Sequence, residues 1–261
     1  MPLITLLTDF GTRDHYVGVL KGVICQLAPK ATVVDISHDV APQNVVQAAF
    51  ILRQIWSWYP RGTVHLAVVD PGVGSARAVL AGQYAGQYVV APDNGLLTFV
   101  HHEFPLEALH VVQNPRLFLP NISSTFHARD VMAPVAARLT AGLRIEEVGP
   151  PTDRLEVLQL ARPGFLPEHT LRGAILCADR FGNLITNIST EDLAPTLRRR
   201  AGAEVFLDGI CLGPVRSHYA EVPPGEPLAL VGSSNLLEIA VNRSSAADRF
   251  QPTPSACVEV R

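Results

Sequence analysis

An acidic and a basic residue flank a Pro–Gly turn in the segment VHLAVVDPGVGSAR, residues 64–77. Asp70 ends an apolar run that is typical of a buried strand, and Arg77 follows the turn. In an open α/β sheet, ligands bind outside the carboxyl ends of the strands. A carboxylate and a guanidinium held close together at such a place favour chemistry over packing.

Two further carboxylates follow short β-rich runs: Asp9 after ITLLT and Asp35 after TVV. Each is also of a residue type that forms strand-end turns, but three of them in one sheet favour a shared cleft. The Asp9 carboxylate could accept hydrogen bonds from both hydroxyls of a ribose, as acidic residues do in dinucleotide-binding folds. The alternative is that Asp9 forms an Asx turn ahead of the helix. Asp14 lies near the first turn of the next helix, where the helix dipole stabilises a negative charge.

Polar residues cluster in three later segments of the chain. STFHARDVMAP places His127 in a polar, loop-like segment. A lone histidine there has a structural role unless the fold brings it close to Asp70. DRFGNLITN, residues 179–187, places Phe181 beside Asn183, and an aromatic ring with a neighbouring amide is what an adenine needs. In GSSNLLEIAVN, residues 232–242, a strand that carries Glu238 is surrounded by Ser233, Ser234 and Asn242.

Several common functional signatures are missing from the sequence. Residues 72–77, GVGSAR, lack the third glycine of GxGxxG and precede no predicted helix, so they are a weak phosphate-binding signal. No GxxxxGK[ST] motif indicates nucleoside triphosphate chemistry. His38-Asp39 and His101-His102 contain metal-ligand types, but without HxH or HExxH spacing we predict no metal site.

The composition excludes some classes of protein. The 261 residues are 48% apolar and 17% charged, with a net charge of −3, which predicts a sizeable core and no nucleic-acid partner. No apolar run of about 18 residues predicts a membrane span, and the start MPLITLLTDFGT is typical of a strand rather than a signal peptide. The four cysteines form no CxxC pair, which indicates reduced thiols and a cytoplasmic location.

Strand and helix patterns alternate over residues 1–150, which predicts an α/β domain with a mainly parallel, Rossmann-like sheet flanked by helices. The expected strands are Ile4–Thr8, Thr32–Ile36, Val64–Val69 and Leu109–Val112, with a hairpin of Ala78–Ala81 and Gln87–Ala91 joined through Gly82 to Gly86. The expected helices are Tyr16–Leu27, Val45–Trp58 and Ala128–Leu139, the last disturbed by Pro134.

The pattern changes after this domain. Residues 151–168 are rich in proline and are predicted to be a linker. Strands dominate residues 169–261, which predicts a smaller all-β domain. One short helix near Glu191–Arg199 interrupts these strands, with Ser189 or Thr190 as its N-cap.

Seven motifs follow one another over nearly the whole chain: LLTDFGTRDHYVG, VVDISHDVAPQNV, GTVHLAVVDPGVGSAR, VAPDNGLL, STFHARDVMAP, DRFGNLITN and NLLEIAVN. In order and spacing they closely resemble the S-adenosylmethionine hydroxide adenosyltransferases, or adenosine-forming S-adenosylmethionine hydrolases, which are relatives of fluorinases and chlorinases. The resemblance implies an α/β N-terminal domain, a β-barrel-like C-terminal domain, and a homotrimer, often paired into a hexamer, with active sites at subunit interfaces. It implies S-adenosyl-L-methionine and water as substrates, adenosine and L-methionine as products, and no cofactor.

The resemblance also implies roles for individual residues. Asp70, Arg77 and His127 match the set that handles the water, and Asp9 matches the residue that holds the ribose hydroxyls. Asp14 and Asp179 match polar contacts near the methionine end, whose carboxylate lies near Ser233 and Ser234. The adenine side matches Phe181, Asn183, Asn242 and Arg243, and Val73, Asn94 and Glu238 complete the expected substrate-binding set.

Two positions separate the branches of this family. Halogenases have a tyrosine at the place of Asp70 and a halide-coordinating hydroxyl residue at the place of Val73, so the resemblance implies that this chain uses water. Three alternatives stay open at this point: a protein that binds S-adenosylmethionine or adenosine without turnover, a halide-using relative, and a metal-dependent phosphoesterase.

Overall fold

The computed structural model describes residues 2–200 and 202–261. The described chain divides into two compact units between Leu158 and Gln159, within the segment expected to be a linker. Neither unit has, among its described residues, a helix long and apolar enough to cross a membrane.

The N-terminal unit is a sheet covered by helices on both faces. Its strands are β1 (Leu3–Thr8), β2 (Thr32–Ser37), β3 (Val64–Val68), β4 (Val79–Tyr84), β5 (Gln87–Pro92) and β6 (Leu106–Val111). Its helices are α1 (Tyr16–Leu27), α2 (Val45–Trp56), α3 (Thr98–Glu103) and α4 (Ala133–Thr140). Within the described residues the strand order is β2-β1-β3-β5-β4-β6; β1 pairs in parallel with β2 and β3, and β3 with β5, whereas β4 is antiparallel to both neighbours. The prediction of a mainly parallel sheet is therefore confirmed, with an antiparallel edge.

Strand β3 is the centre of this unit and is buried along its whole length. Its side chains alternate between two layers, as the period of a strand requires. Val64, Leu66 and Val68 pack with α1 and α4, and Ala67 and the following Val69 pack with α2 and α3. The continuous apolar run that predicted a doubly covered strand therefore reflects two cores.

The hairpin differs in one detail from the prediction. Strand β4 continues to Tyr84, and the turn is Ala85–Gly86, with φ of 48° and 77°. Two successive positive φ values are typical of a two-residue type I′ turn, which fits the twist of the strands. The expectation that Gly82 belongs to the connection is wrong, because Gly82 pairs with Val89 inside the sheet.

The helix predicted at Ala128–Leu139 begins with a wider turn. Ala128–Met132 is π-helical, and α4 follows with Pro134 in its first turn. Proline lacks the N–H that would bond to the carbonyl of Asp130, and that carbonyl accepts from the Leu119 backbone N–H at 2.9 Å instead. The irregularity thus lies at the end that carries His127.

The C-terminal unit is a β-barrel. Its strands are β7 (Gly164–Phe165), β8 (Leu171–Ala178), β9 (Leu184–Ser189), β10 (Glu204–Leu207), β11 (Ile210–Arg216), β12 (Pro227–Val231), β13 (Leu236–Val241) and β14 (Cys257–Val260), and its helices are α5 (Thr190–Arg199) and α6 (Ala246–Phe250). In the part of the chain that the structure describes, pairing of β14 with β8 closes a seven-stranded barrel, and β7 adds to β8. Closure leaves the barrel strands no free edge.

Local signals explain which C-terminal elements could be predicted. Ser189 caps α5 in a capping box with Asp192, so the predicted N-cap is confirmed. Strand β11 was not predicted, because Gly213 and Pro214 interrupt its pattern. The structure accommodates them where the pairing of β10 with β11 shifts register.

A polar network lies in the N-terminal core. His65 is buried; its Nδ1 is 2.7 Å from the Thr5 hydroxyl, and its Nε2 is 2.9 Å from Gln87 Oε1. Because the Gln87 amide donates to the Trp56 carbonyl at 2.9 Å, its Oε1 accepts from Nε2–H, and Nδ1 accepts from Thr5. Burial lowers the pKa of His65 to about 4, so the ring is neutral near pH 7.

We expect His65 to make stability depend on pH. The unfolded chain takes up this proton near its ordinary pKa of about 6.5 and the native protein only near 4, so stability is complete above about 6.5 and is lost as the pH falls towards 4. The loss is about 3 kcal/mol, since one pKa unit corresponds to about 1.4 kcal/mol. Urea unfolding of wild type and His65→Gln from pH 7.5 to 4.5 measures it. The same pH dependence in both proteins would contradict this role.

Candidate active site

Asp70 and Arg77 form a two-pronged ion pair at the end of β3. Arg77 Nε donates to Asp70 Oδ1 at 2.8 Å, and Arg77 Nη2 donates to Oδ2. The side chains are only 6% and 10% exposed. A bidentate carboxylate–guanidinium pair fixes the orientation of both groups, so the carboxylate has one defined position at the strand end.

His127 contacts the same arginine. Arg77 Nη2 lies 3.3 Å from His127 Nδ1. Because a guanidinium only donates, Nδ1 accepts and the ring proton is assigned to Nε2. The fold thus brings His127 to the Asp70–Arg77 pair, which was the condition for assigning it more than a structural role.

Gly74 allows this meeting. It has a φ of 80°, and a Cβ at this position would lie 2.7 Å from the Ser124 carbonyl oxygen. The turn after Asp70 is therefore packed directly on the segment that leads to His127. Glycine is required here for the close approach of two backbones.

A cleft of about 540 Å³ opens at this edge of the sheet. Asp9, Asp70, Val73 and His127 line it, and Arg77 stands behind Asp70 outside the lining. Aromatic rings form part of the wall: Phe10, Tyr16 and Phe126 contact one another with centroids 5.2–6.0 Å apart. Polar groups on an apolar wall are typical of small-molecule sites.

Asp9 is held from across the cleft rather than by its own turn. Its Oδ2 accepts from the Gln43 backbone N–H at 2.8 Å. Gln43 has a φ of 66°, a left-handed conformation that is strained for a non-glycine residue and concentrates at functional sites. Asp14 is exposed and lies outside the cleft lining.

Asn94 supports Asp70 from behind. Its Nδ2 donates to the Val69 carbonyl at 2.9 Å, and its Oδ1 accepts from the Leu96 N–H at 3.3 Å. Asn94 is not part of the cleft lining. Its amide therefore anchors the residue before Asp70, and its geometry favours positioning over a substrate contact.

Asp35 does not join the shared cleft that three strand-end carboxylates predicted. Its Oδ2 lies 2.6 Å from Lys21 Nζ, and its Oδ1 lies 3.2 Å from His38 Nε2. Burial opposes ionisation, but the interactions with Lys21 and His38 outweigh it and hold the pKa of Asp35 below its ordinary value. The shared-cleft expectation holds for Asp9 and Asp70 and is wrong for Asp35.

A second cavity of about 570 Å³ lies in the C-terminal unit. Phe181, Asn183 and Arg243 line it, with Phe181 77% exposed. Tyr219 lines it as well and was not predicted. Tyr219 lies on a short 3₁₀ turn between β11 and β12, outside every motif, so no local pattern could have indicated it.

Two of the predicted contact residues use their side chains to bond to the backbone around this cavity. Asp179 Oδ1 accepts from the N–H groups of Phe181 and Asn183 at 2.8 Å each, and its Oδ2 accepts from Asn183 Nδ2 at 2.9 Å. Asn242 Nδ2 donates to the Val222 carbonyl at 2.6 Å. Both residues therefore shape the cavity that Phe181 and Asn183 line.

Glu238 is buried behind Tyr219. The Tyr219 hydroxyl donates to Glu238 Oε2 at 3.3 Å, and burial, together with the charge of Asp179, raises the pKa of Glu238. A Cβ on Gly232 would collide with this carboxylate, so Glu238 needs glycine there. In the same loop Ser233 is exposed, and Ser234 Oγ is buried without a hydrogen-bond partner among the described residues.

Metal ligands do not cluster in the described residues: no group of three or more His, Cys, Asp or Glu side chains could hold an ion. His38 and His101 illustrate this, since each ring contacts a neighbouring hydroxyl. His38 Nδ1 is 2.8 Å from Thr8 Oγ1, and His101 Nδ1 is 3.3 Å from the Tyr84 hydroxyl.

The fold and the cleft define a class of protein with an α/β unit, a β-barrel unit and a small-molecule cleft at the ends of parallel strands. Residues 4–149 match the profile of the SAM hydroxide adenosyltransferase N-terminal domain, and residues 173–259 match that of its C-terminal domain. The chain belongs to the SAM hydroxide adenosyltransferase family, which confirms the resemblance inferred from the motifs.

Relatives of this chain match it over nearly its whole length. A protein of Thermus thermophilus named (R)-S-adenosyl-L-methionine hydrolase is 42% identical over 252 residues, covering 94% of each chain. A fluorinase of an Actinoplanes species is 29% identical and covers 94% of this chain and 93% of its own. The crystal structure of an uncharacterized conserved protein from Thermotoga maritima has a TM-score of 0.90 and 37% identity, covering 98% of this chain and 99% of that one.

Breaking the Asp70–Arg77 pair should destabilise the protein. Arg77→Met leaves a carboxylate that is only 6% exposed without its cation, and loss of one partner of a buried pair costs about 3 kcal/mol. Adding Asp70→Asn to this variant removes the unpaired charge and should recover part of the lost stability. Urea unfolding of both single variants and the double variant at pH 7 measures the coupling. Simple additivity of the two single effects would contradict a buried pair.

Proposed function

We propose that this protein hydrolyses S-adenosyl-L-methionine to adenosine and L-methionine, by attack of a water oxygen on the ribose 5′ carbon. The observation that carries the proposal is the Asp70–Arg77 pair in contact with His127, in a cleft that Asp9 also lines. Membership of the family and the names of the relatives support the same reaction.

The chemistry suits a site without a strong acid. The water oxygen forms a bond to the 5′ carbon while the carbon–sulfur bond breaks. The electron pair of the broken bond stays on sulfur, so a neutral thioether leaves without being protonated. The step needs a nucleophile in line with the departing sulfur, and alignment alone contributes about 7–11 kcal/mol in favourable cases. A rigid carboxylate beside the 5′ carbon would supply that alignment.

Asp70 is assigned the orientation of the water. A carboxylate has about four lone-pair directions, and Arg77 occupies two of them, so others remain to accept hydrogen bonds from water. As its oxygen bonds to the 5′ carbon, the water releases one proton to solvent by way of the Asp70 carboxylate. Arg77 and His127 hold that carboxylate and stabilise the hydroxide character that develops. Attack of a hydroxide-like oxygen on the sulfonium neutralises charge. A desolvated cleft therefore favours the transition state over the separated ions.

The remaining residues are assigned to the parts of the substrate. Asp9 accepts from the ribose hydroxyls. Phe181, Asn183 and Arg243 take the adenine, with Asn242 supporting them. The methionine end is assigned to Asp14, Asp179, Ser233 and Ser234, and Val73, Asn94 and Glu238 complete the set. The bonds that Asp179, Asn94 and Asn242 make to the backbone favour an indirect contribution from these three.

Loss of the Asp70 carboxylate should slow turnover strongly and leave substrate binding nearly unchanged. With S-adenosyl-L-methionine, Asp70→Ala should release adenosine about a hundredfold more slowly than wild type, since it loses a water-orienting group, and calorimetry should find similar affinity. Asp93→Ala is the control, because Asp93 follows β5 in the same sheet but bonds to Glu156 outside the cleft lining. An Asp70→Ala rate near that of wild type would rule out the assigned role.

The same assay separates the alternatives. Binding of S-adenosyl-L-methionine without adenosine release would identify a binding protein, and a halogenated adenosine formed after addition of chloride or fluoride would identify a halide-using relative. Asp70 and Val73, the positions where halogenases carry hydroxyl residues, favour water. Unchanged adenosine release in the presence of a chelator would exclude a metal-dependent phosphoesterase.

We also propose a cytoplasmic homotrimer, alone or paired into a hexamer, with active sites at subunit interfaces and no cofactor. This assembly is the one that the resemblance to the family implies. Light scattering coupled to size-exclusion chromatography should give three or six times the 28.2 kDa mass of the chain. A monomer that still releases adenosine at the full rate would contradict interface active sites.

A further inference from the structure

A row of side chains leads from the surface of α1 to the backbone beside Asp9. Lys21 Nζ lies 2.6 Å from Asp35 Oδ2, and Asp35 Oδ1 lies 3.2 Å from His38 Nε2, outside hydrogen-bond geometry. His38 Nδ1 is 2.8 Å from Thr8 Oγ1. Thr8 is 0% exposed and His38 is 5% exposed, so this end of the row is inside the protein.

A bulge in β2 arranges this row. The parallel register pairs Leu6 with Asp35 and then Leu7 with Ser37, so β2 has one extra residue at this point. A bulge changes the direction of the side chains around it and is common beside active sites. Here Asp35 and His38 come to face each other, and His38 reaches across to the end of β1.

The hydrogen bonds around His38 hold both sides of Asp9. The carboxylate of Asp35 favours the ring proton on Nε2, so Nδ1 accepts from the Thr8 hydroxyl. The same hydroxyl oxygen accepts from the Phe10 N–H at 3.3 Å, and the His38 carbonyl accepts from the Gly11 N–H at 2.7 Å. His38 is thereby bonded to the residues immediately before and shortly after Asp9.

We propose that His38 is a positioning residue that acts through Thr8 to aim the Asp9 carboxylate at the ribose hydroxyls. The inference rests on the proposed function, which assigns the ribose to Asp9. The Gln43 N–H already occupies Asp9 Oδ2, so the position of the remaining lone pairs depends on the backbone that His38 holds. Without the Thr8–His38 hydrogen bond, the Asp9 carboxylate keeps its charge but is no longer oriented towards the ribose hydroxyls.

The test removes the bond in the protein and the hydroxyl in the substrate. His38→Gln and Thr8→Val each lose the Thr8–His38 bond, and the substrates are S-adenosyl-L-methionine and its 2′-deoxyribose analogue. We expect the KM for S-adenosyl-L-methionine to rise about tenfold, as for loss of one hydrogen bond to a charged group. The KM for the analogue should rise less than about twofold, because the hydrogen bond from the 2′ hydroxyl to Asp9 is already absent in it. The kcat for both should change less than the KM.

Two controls separate positioning from a general loss of structure. Thr8→Ser keeps the hydroxyl and should keep the preference for the ribose substrate. His65→Gln makes the same chemical change in a buried histidine whose bonds run to Thr5 and Gln87, away from Asp9, and should leave that preference unchanged. Equal rises in KM for both substrates in His38→Gln and Thr8→Val, or no rise at all, would overturn the inference.

Failure of the proposed function gives a different result. If wild type releases no adenosine, calorimetry with adenosine and 2′-deoxyadenosine tests the same bond, and preference for adenosine in wild type but not in His38→Gln supports the inference. Wild type that binds the two nucleosides equally, or neither, overturns it, because Asp9 then does not bind the 2′ hydroxyl of the ribose. Normal turnover of wild type with unchanged His38→Gln overturns the positioning role alone.

Discussion

Parallel pairing of β1 with β2 and β3 is the constraint on which the candidate site depends. Because the three strands run in the same direction, the residues that follow them meet at one edge of the sheet. The buried side chains of β3 on both faces leave that strand no freedom to slide, so Asp70 emerges at one place. The cleft is therefore a consequence of the core: apolar packing sets the strand ends, and the strand ends set the polar groups.

Strand ends alone do not complete the site, since His127 arrives from a distant segment. Two features bring it in. Gly74 lets the turn after Asp70 lie against the Ser124 carbonyl, and Pro134 frees the Asp130 carbonyl, which binds the Leu119 N–H outside the helix. The first feature sets the distance between the two segments, and the second accompanies the π-helical start next to His127. Arg77 then joins both segments through its guanidinium, so one side chain carries the alignment of Asp70 with His127.

Periodicity and strand ends were enough to predict most elements and the meeting of Asp9 with Asp70, because both follow from local patterns. The position of Asp35 outside the cleft was not predictable, since it depends on a one-residue bulge in β2 that no residue type in the sequence indicates. The same holds for the bonds of Asn94 and Asp179 to backbone N–H and carbonyl groups, and for Tyr219, which reaches its cavity from a turn without a motif. Residue type predicted which side chains could do chemistry; tertiary contacts decided which of them are free to do it.

The charges around the N-terminal cleft have a consequence for the proposed reaction. Arg77 is paired with Asp70, and Arg129 is paired with Asp130 at 2.6 Å. Among the described residues Asp9 has no cationic partner and accepts only a backbone N–H, so its charge is the one left uncompensated in the lining. A sulfonium substrate would be attracted to this cleft, and both products, adenosine and methionine, would lack the sulfonium charge. The attraction that favours substrate binding therefore disappears with the reaction itself, which favours release of the products.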